Sequence, residues 1–156
     1  MKKAVTSIEE IKRKLERYCV YQDRSHKEIE KKLAEYNLIE EAKGVIILHL
    51  LEHDFLNEER FAKSFARGKF RIKKWGKQRI TRELKARDIS AYNIKTALKE
   101  IEETDYLESL VDLINKKNKE VKEENIFKRK KKIYDFLAYR GYESDLIFKY
   151  MNEIIN

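Results

Sequence analysis

The chain has 156 residues, 42% hydrophobic and 41% charged, with no proline, four glycines and a net charge of +8. That composition allows a modest core and long unbroken helices, and it argues against a fold of many strands and tight turns. It also excludes a spanning helix, since the longest apolar run, Val45-Ile46-Ile47-Leu48, stops at His49. Cys19 stands alone, so no internal disulfide forms, as suits a reducing compartment. The opening MKKAVTSIEE has lysines but no apolar segment behind them and does not read as a secretory signal. A cytoplasmic protein without a membrane partner is the expectation.

Taken in chain order, Ser7 and Glu10 have capping-box spacing, and Ile8, Ile11, Leu15, Tyr18 and Cys19 follow at helical period. Ser25 and Glu28 form a second capping box ahead of Ile29, Leu33 and Tyr36, and a left-handed Asn37 is expected to end that helix. Residues 40–53 are apolar nearly all round, which predicts a centrally buried helix. Phe61, Phe65, Gly68 and Ile72 then mark one helical face, with Phe61, Ala62 and Phe65 assigned to the core. After Gly76 comes a basic helix carrying Ile80 and Leu84. Ser90 is placed to cap the next, whose buried stripe is Ile94, Ala97, Leu98 and Ile101. Leu107, Leu110, Val111, Ile114 and Val121 give a long helix, and Ile133, Phe136 and Leu137 a shorter one stopped by Gly141. Ser144 is positioned to cap a final helix with Ile147, Tyr150, Met151 and Ile154 inside.

These elements repeat. Ile29, Leu33, Leu38 and Ile47 align with Ile80, Leu84, Ile89 and Leu98, and again with Ile133, Leu137, Tyr142 and Met151. Each copy reads as a long helix followed by two short ones. A three-helix unit has little core of its own, so neighbours must stack. The expected fold is all-α: three tandem three-helix repeats, over 1–54, 55–103 and 104–156, in an extended, curved row.

The charge is concentrated. Residues 67–87 hold ten basic side chains against Glu83 alone, whereas residues 88–115 are acidic and residues 116–132 are again basic. Arg67, Arg71 and Lys74 fall at i, i+4 and i+7 of a helix expected over 57–74, about 27 Å long. Lys73 and Lys77 flank them, and Arg79 and Arg82 project from the next helix. Like charges one turn apart disfavour a helix by a few tenths of a kcal/mol per pair, so the stripe reads as a contact surface for phosphates or acidic side chains. Phe70 and Trp75 within it are read as packing groups rather than stacking groups. Lys130 and Lys131 belong to the second block, residues 128–132, for which a solvated face is an equal reading.

The stretch from Leu56 through Arg60-Phe61-Ala62 and Phe65-Ala66-Arg67, then Trp75-Gly76-Lys77 to Asp88-Ile89, resembles the central module of the RecX family. Arg24-Ser25 followed by Ile29 and Leu33 is similar to the opening of that family's first module. The pattern departs from the family where Asn37 and Asp88 replace a glycine that only Gly141 retains, and in the first helix of the third repeat. Both Asn and Asp tolerate the left-handed conformation.

The resemblance implies a negative regulator that binds the filament of RecA recombinase on single-stranded DNA, inhibiting its growth, ATPase and strand exchange. That is a role in homologous recombination, DNA repair and the SOS response. It also implies a monomer needing no nucleotide, metal or small-molecule substrate. Two other readings use the same residues: a helical DNA-binding protein acting without a recombinase, and a helical-repeat scaffold.

Catalytic readings are weak. His49, Glu52 and His53 match the H-x-x-E-H zinc string on a helix, but no third ligand is identifiable. A polar end to a buried helix is the preferred explanation, and no metal is expected. Cys19 reads as a buried hydrophobe, and no phosphate-binding glycine loop is present. No enzyme activity is expected.

Overall fold

The structure, a computed structural model, describes residues 7–155. Residues 1–6, on which the reading of the N-terminus partly rests, lie outside the described residues. Among the latter there are nine helices in three sets. Module one holds α1 (Ile8–Tyr21), α2 (His26–Leu33) and α3 (Glu40–Glu52); module two holds α4 (Glu58–Lys73), α5 (Lys77–Ala86) and α6 (Ala91–Leu98). Module three holds α7 (Glu103–Glu120), α8 (Ile126–Arg140) and α9 (Ser144–Ile154). No helix among the described residues is long and apolar enough to cross a membrane.

Local signals start most of these helices. Ser7, Ser25, Asn57 and Ser90 each accept a hydrogen bond from the backbone N–H three residues on, and Asn125 accepts two at the head of α8. Ser144 does not cap α9. The N-cap is Glu143, and the Ser144 hydroxyl instead lies 2.7 Å from Tyr134 Oη.

The repeat register places equivalent residues alike. Ile29, Ile80 and Ile133 are fully buried, as are Leu33, Leu84 and Leu137. Asp88 (φ 59°) and Gly141 (φ 100°) take the left-handed conformation at equivalent turns. Asn37 does not. In module one, α2 stops at Leu33 with Ala34 still right-handed, and the Tyr36 N–H returns to the Leu33 carbonyl, so no left-handed residue is required. The alternation of long and short helices holds in module two but not strictly elsewhere, since α3 has 13 residues and α8 has 15.

Two expected faces are corrected. α3 is not centrally buried: Ala42, Ile46 and Leu50 face the core, while Val45, Leu48 and Leu51 are about half exposed. A helix at the end of a row has one neighbour, and the opposite stripe stays in solvent. On α4 the buried stripe is Phe61, Ala62, Ala66 and Phe70, whereas Phe65 is only partly buried and Ile72 is 78% exposed. The small side chains of Ala62 and Ala66 let α6 pack closely against α4, which rotates Gly68 and Ile72 outward.

The three modules form two cores, not three. Module one encloses its own, from Ile11 and Leu15 to Leu50 and Leu56. Modules two and three share one that runs from Phe61 to Ile155. The accessible surface, 9953 Å², exceeds the roughly 8,300 Å² of a compact monomer of this mass, as an extended row should.

Candidate partner-binding surface

The cationic stripe is built where α4 ends and α5 begins. No glycine follows α4, so Lys74 itself adopts the left-handed conformation (φ 58°), and the Trp75 N–H reaches back to the Lys69 carbonyl at 3.2 Å. Module three holds this turn. Arg140 Nη1 donates to the Lys73 carbonyl at 2.6 Å, and Tyr142 Oη donates to the Lys74 carbonyl at 3.1 Å. The Gly76 N–H then donates to the Arg140 carbonyl at 2.8 Å, and the Gln78 N–H to the Gly141 carbonyl at 2.9 Å. Buried Tyr106 accepts from the Lys77 N–H at 2.9 Å and donates to Glu143 Oε1. Its ring stacks on Tyr142 at 5.1 Å and tilts against Phe70 at 5.9 Å. Burial and the Glu143 carboxylate push the Tyr106 phenol strongly upward, so it stays a donor.

This frame sorts the nine candidate residues by what they already touch. Arg67 is bonded to Glu100 Oε1 at 2.6 Å. Lys77 lies 4.7 Å from the centroid of Tyr106 and 3.7 Å from Glu103. Arg79 is sandwiched between Trp75 (4.3 Å) and Tyr139 (4.9 Å). Lys130 Nζ donates to Asn152 Oδ1 at 3.1 Å, and Lys131 pairs with Asp135 at 2.8 Å, which raises the Lys131 pKa through that hydrogen bond. That leaves Arg71, Lys73, Lys74 and Arg82, all exposed and without a carboxylate partner among the described residues. The first three crowd the end of α4. Trp75 is partly buried against the shared core, its ring 6.3 Å from Phe65. Tyr139, 73% exposed beside Arg79, was not legible as a surface group in the sequence. Only its spacing of two residues from Leu137 placed it off the core face.

Elsewhere the polar clusters are internal. His49 Nε2 lies 2.6 Å from Glu16 Oε2, and His53 Nδ1 lies 2.9 Å from the His49 carbonyl. Among the described residues no group of three or more His, Cys, Asp or Glu side chains is arranged to hold a metal ion. Cys19 is buried, and desolvation pushes its thiol up to about 11, far from a reactive thiolate.

Fold and surface together define a class: an all-helical tandem-repeat protein with a cationic surface framed between its second and third modules. Residues 57–98 match the second three-helix domain of RecX, and residues 103–151 match its third. The chain belongs to the RecX family. It is 28% identical to the regulatory protein RecX of Clostridioides difficile over 137 residues, 86% of this chain and 63% of that one. It is 26% identical to that of Lactobacillus gasseri over 83% of this chain and 48% of the relative. The chain thus spans between about half and two thirds of the length of these relatives. The crystal structure of RecX from Lactobacillus salivarius superposes with a TM-score of 0.83 at 24% identity, covering 94% of this chain and 96% of that one. A second RecX crystal structure gives 0.81 at 22% identity, covering 95% and 72%.

Proposed function

We propose that this chain is a negative regulator of RecA that binds the recombinase filament on single-stranded DNA. It would limit the filament's growth, ATPase and strand exchange. Membership of a family of regulatory proteins supports the reading. The observation that carries it to a surface is the cluster of unpaired cations, Arg71, Lys73 and Lys74, held at a fixed angle by hydrogen bonds from module three. A filament surface rich in carboxylates or phosphates would satisfy them. The extended row has the reach to touch more than one subunit, obstructing either addition or the movements of turnover.

RecA ATPase on single-stranded DNA, titrated with this protein beside a gel shift on DNA alone, is the test. The reading expects ATPase to fall at concentrations that leave naked DNA unshifted. Reversing Arg71, Lys73 and Lys74 to Glu abolishes that inhibition with the helical spectrum intact, whereas Arg67→Gln, which only releases Glu100, leaves most of it. Unchanged ATPase with a steeply salt-sensitive shift would sink the recombinase reading. It would favour a protein that binds DNA directly, for which the exposed ring of Tyr139 beside Arg79 offers a stacking face.

A further inference from the structure

Module one and module two do not share a core; they meet across a groove of about 380 Å³. Its floor is the outward side of α4, Ser64, Phe65, Gly68 and Ile72, with the edge of buried Phe61 beneath. These include the residues whose spacing resembles a core stripe, yet among the described residues nothing covers Ile72.

Gly68 identifies the purpose of that floor. A glycine inside a helix is less stable than alanine by about 0.5–1 kcal/mol. A Cβ built on Gly68 meets nothing within 4 Å, so no contact inside the fold requires its absence. Such a recess, rimmed by Phe65 and an exposed Ile72, suits the close approach of a side chain from outside. Gly44 on α3 is equally open, but nothing there shows what covers it.

The charges around the groove select the visitor. On the module-one wall, Asp23 already accepts from Arg60 at 2.8 Å, and Glu28 lies 3.9 Å from Arg24. On the module-two wall, Lys69 and Lys73 have no carboxylate partner among the described residues; Lys69 rests over Phe65 and Trp75 instead. Arg87, also on that wall, bonds the Glu83 carbonyl at 2.9 Å and lies 4.0 Å from its carboxylate. The acids of the groove thus have partners, while two of its three cations, Lys69 and Lys73, meet no carboxylate among the described residues.

We propose that this groove docks a segment of a partner protein that presents an apolar side chain to Gly68 and Ile72, flanked by carboxylates that meet Lys69 and Lys73. Identifying that partner as the recombinase rests on the reading given above; the groove and its chemistry do not. Apolar anchors in a recess with opposite charges at the rim are the usual anatomy of a protein contact. A nucleic acid would find too few phosphate partners against the acidic wall.

Trp75 is the only tryptophan and packs against Phe65 and Lys69, so its emission reports on the groove. The probe is a tryptophan-free amphipathic peptide with leucines on one face and glutamates beside them. Its counterpart has lysines in place of the glutamates. The acidic peptide should shift Trp75 emission saturably and bind at least about tenfold more tightly than the basic one. Gly68→Leu, whose Cβ meets nothing within 4 Å and whose side chain would occupy the recess, should abolish the response, and Gly44→Leu should leave it intact. No saturable response, equal binding of the two peptides, or a Gly68→Leu chain that binds like the original would overturn the proposal. So would single-stranded oligothymidylate that competes with the peptide and is itself lost in Gly68→Leu. RecA ATPase separates the two readings: a Gly68→Leu chain that fails to bind peptide yet inhibits fully keeps the groove and removes the recombinase as its occupant.

Discussion

Gly76 and Gly141 meet backbone to backbone across the junction of modules two and three. A Cβ on Gly76 would stand 2.3 Å from the Gly141 carbonyl carbon, and one on Gly141 would stand 2.4 Å from Arg79 Cβ. With the bonds from Gly76 N–H to Arg140 and from Gln78 N–H to Gly141, this contact makes the two modules one body. It also fixes the turn that presents Lys73 and Lys74.

Substituting either glycine should therefore be severe. Gly76→Ala is expected to destabilise by about 3 kcal/mol, measured by urea denaturation, because backbone rather than a flexible side chain must move. Gly141→Ala adds the strain of a left-handed alanine. Gly44→Ala and Gly68→Ala, both in open space, should instead stabilise by about 0.5–1 kcal/mol. A mild Gly76→Ala would mean that the modules separate easily.

The Tyr106 hydroxyl bridges the same junction. Tyr106→Phe keeps the ring stack but leaves the Lys77 N–H and the Glu143 carboxylate without their partner. A loss of about 1–3 kcal/mol follows, read as a lower urea midpoint with the slope unchanged.

Acid should loosen module one. Hydrogen bonds from His49 and then Arg13 hold the Glu16 carboxyl below its ordinary range. A folded-state pKa below the unfolded one gives stability that is present above the unfolded pKa and lost as pH falls through the folded one. The advantage of the original chain over Glu16→Gln should thus be present above the usual carboxylate range and vanish below it. A difference independent of pH would show that the pairing contributes nothing through charge.

Module one hangs on module two through polar contacts around the groove. Arg60 bridges Asp23 and Asp54, and Lys27 reaches the Ala86 carbonyl at 3.2 Å and Asp88 at 3.7 Å. Surface pairs of this kind are weak and screened by salt. Arg60→Ala should leave the urea midpoint nearly unchanged while increasing the radius of gyration measured by X-ray scattering. High salt should move the original chain in the same direction. No change in scattering would mean that the modules are held by something other than these charges.

Much of the fold was legible because helices declare themselves locally. The caps at Ser7, Ser25 and Ser90 and the burial of Ile29, Ile80 and Ile133 depend on residues within a turn or two of one another. The stripe of Phe61, Phe65, Gly68 and Ile72 misled for an equally physical reason. Helical spacing shows that residues share a face, not that another element covers it.

By itself, then, the sequence determined the helices, their threefold register, the family and the position of the basic block, since all follow from short-range pattern and composition. Only the tertiary structure decided which of those cations are free. Arg67 and Arg71 are one turn apart and chemically alike, yet Glu100, in the turn after α6, neutralises the first and no carboxylate among the described residues meets the second. The same holds for the Gly76–Gly141 contact and the open groove beside Gly68, because each depends on what a distant segment brings, or does not bring, to face it.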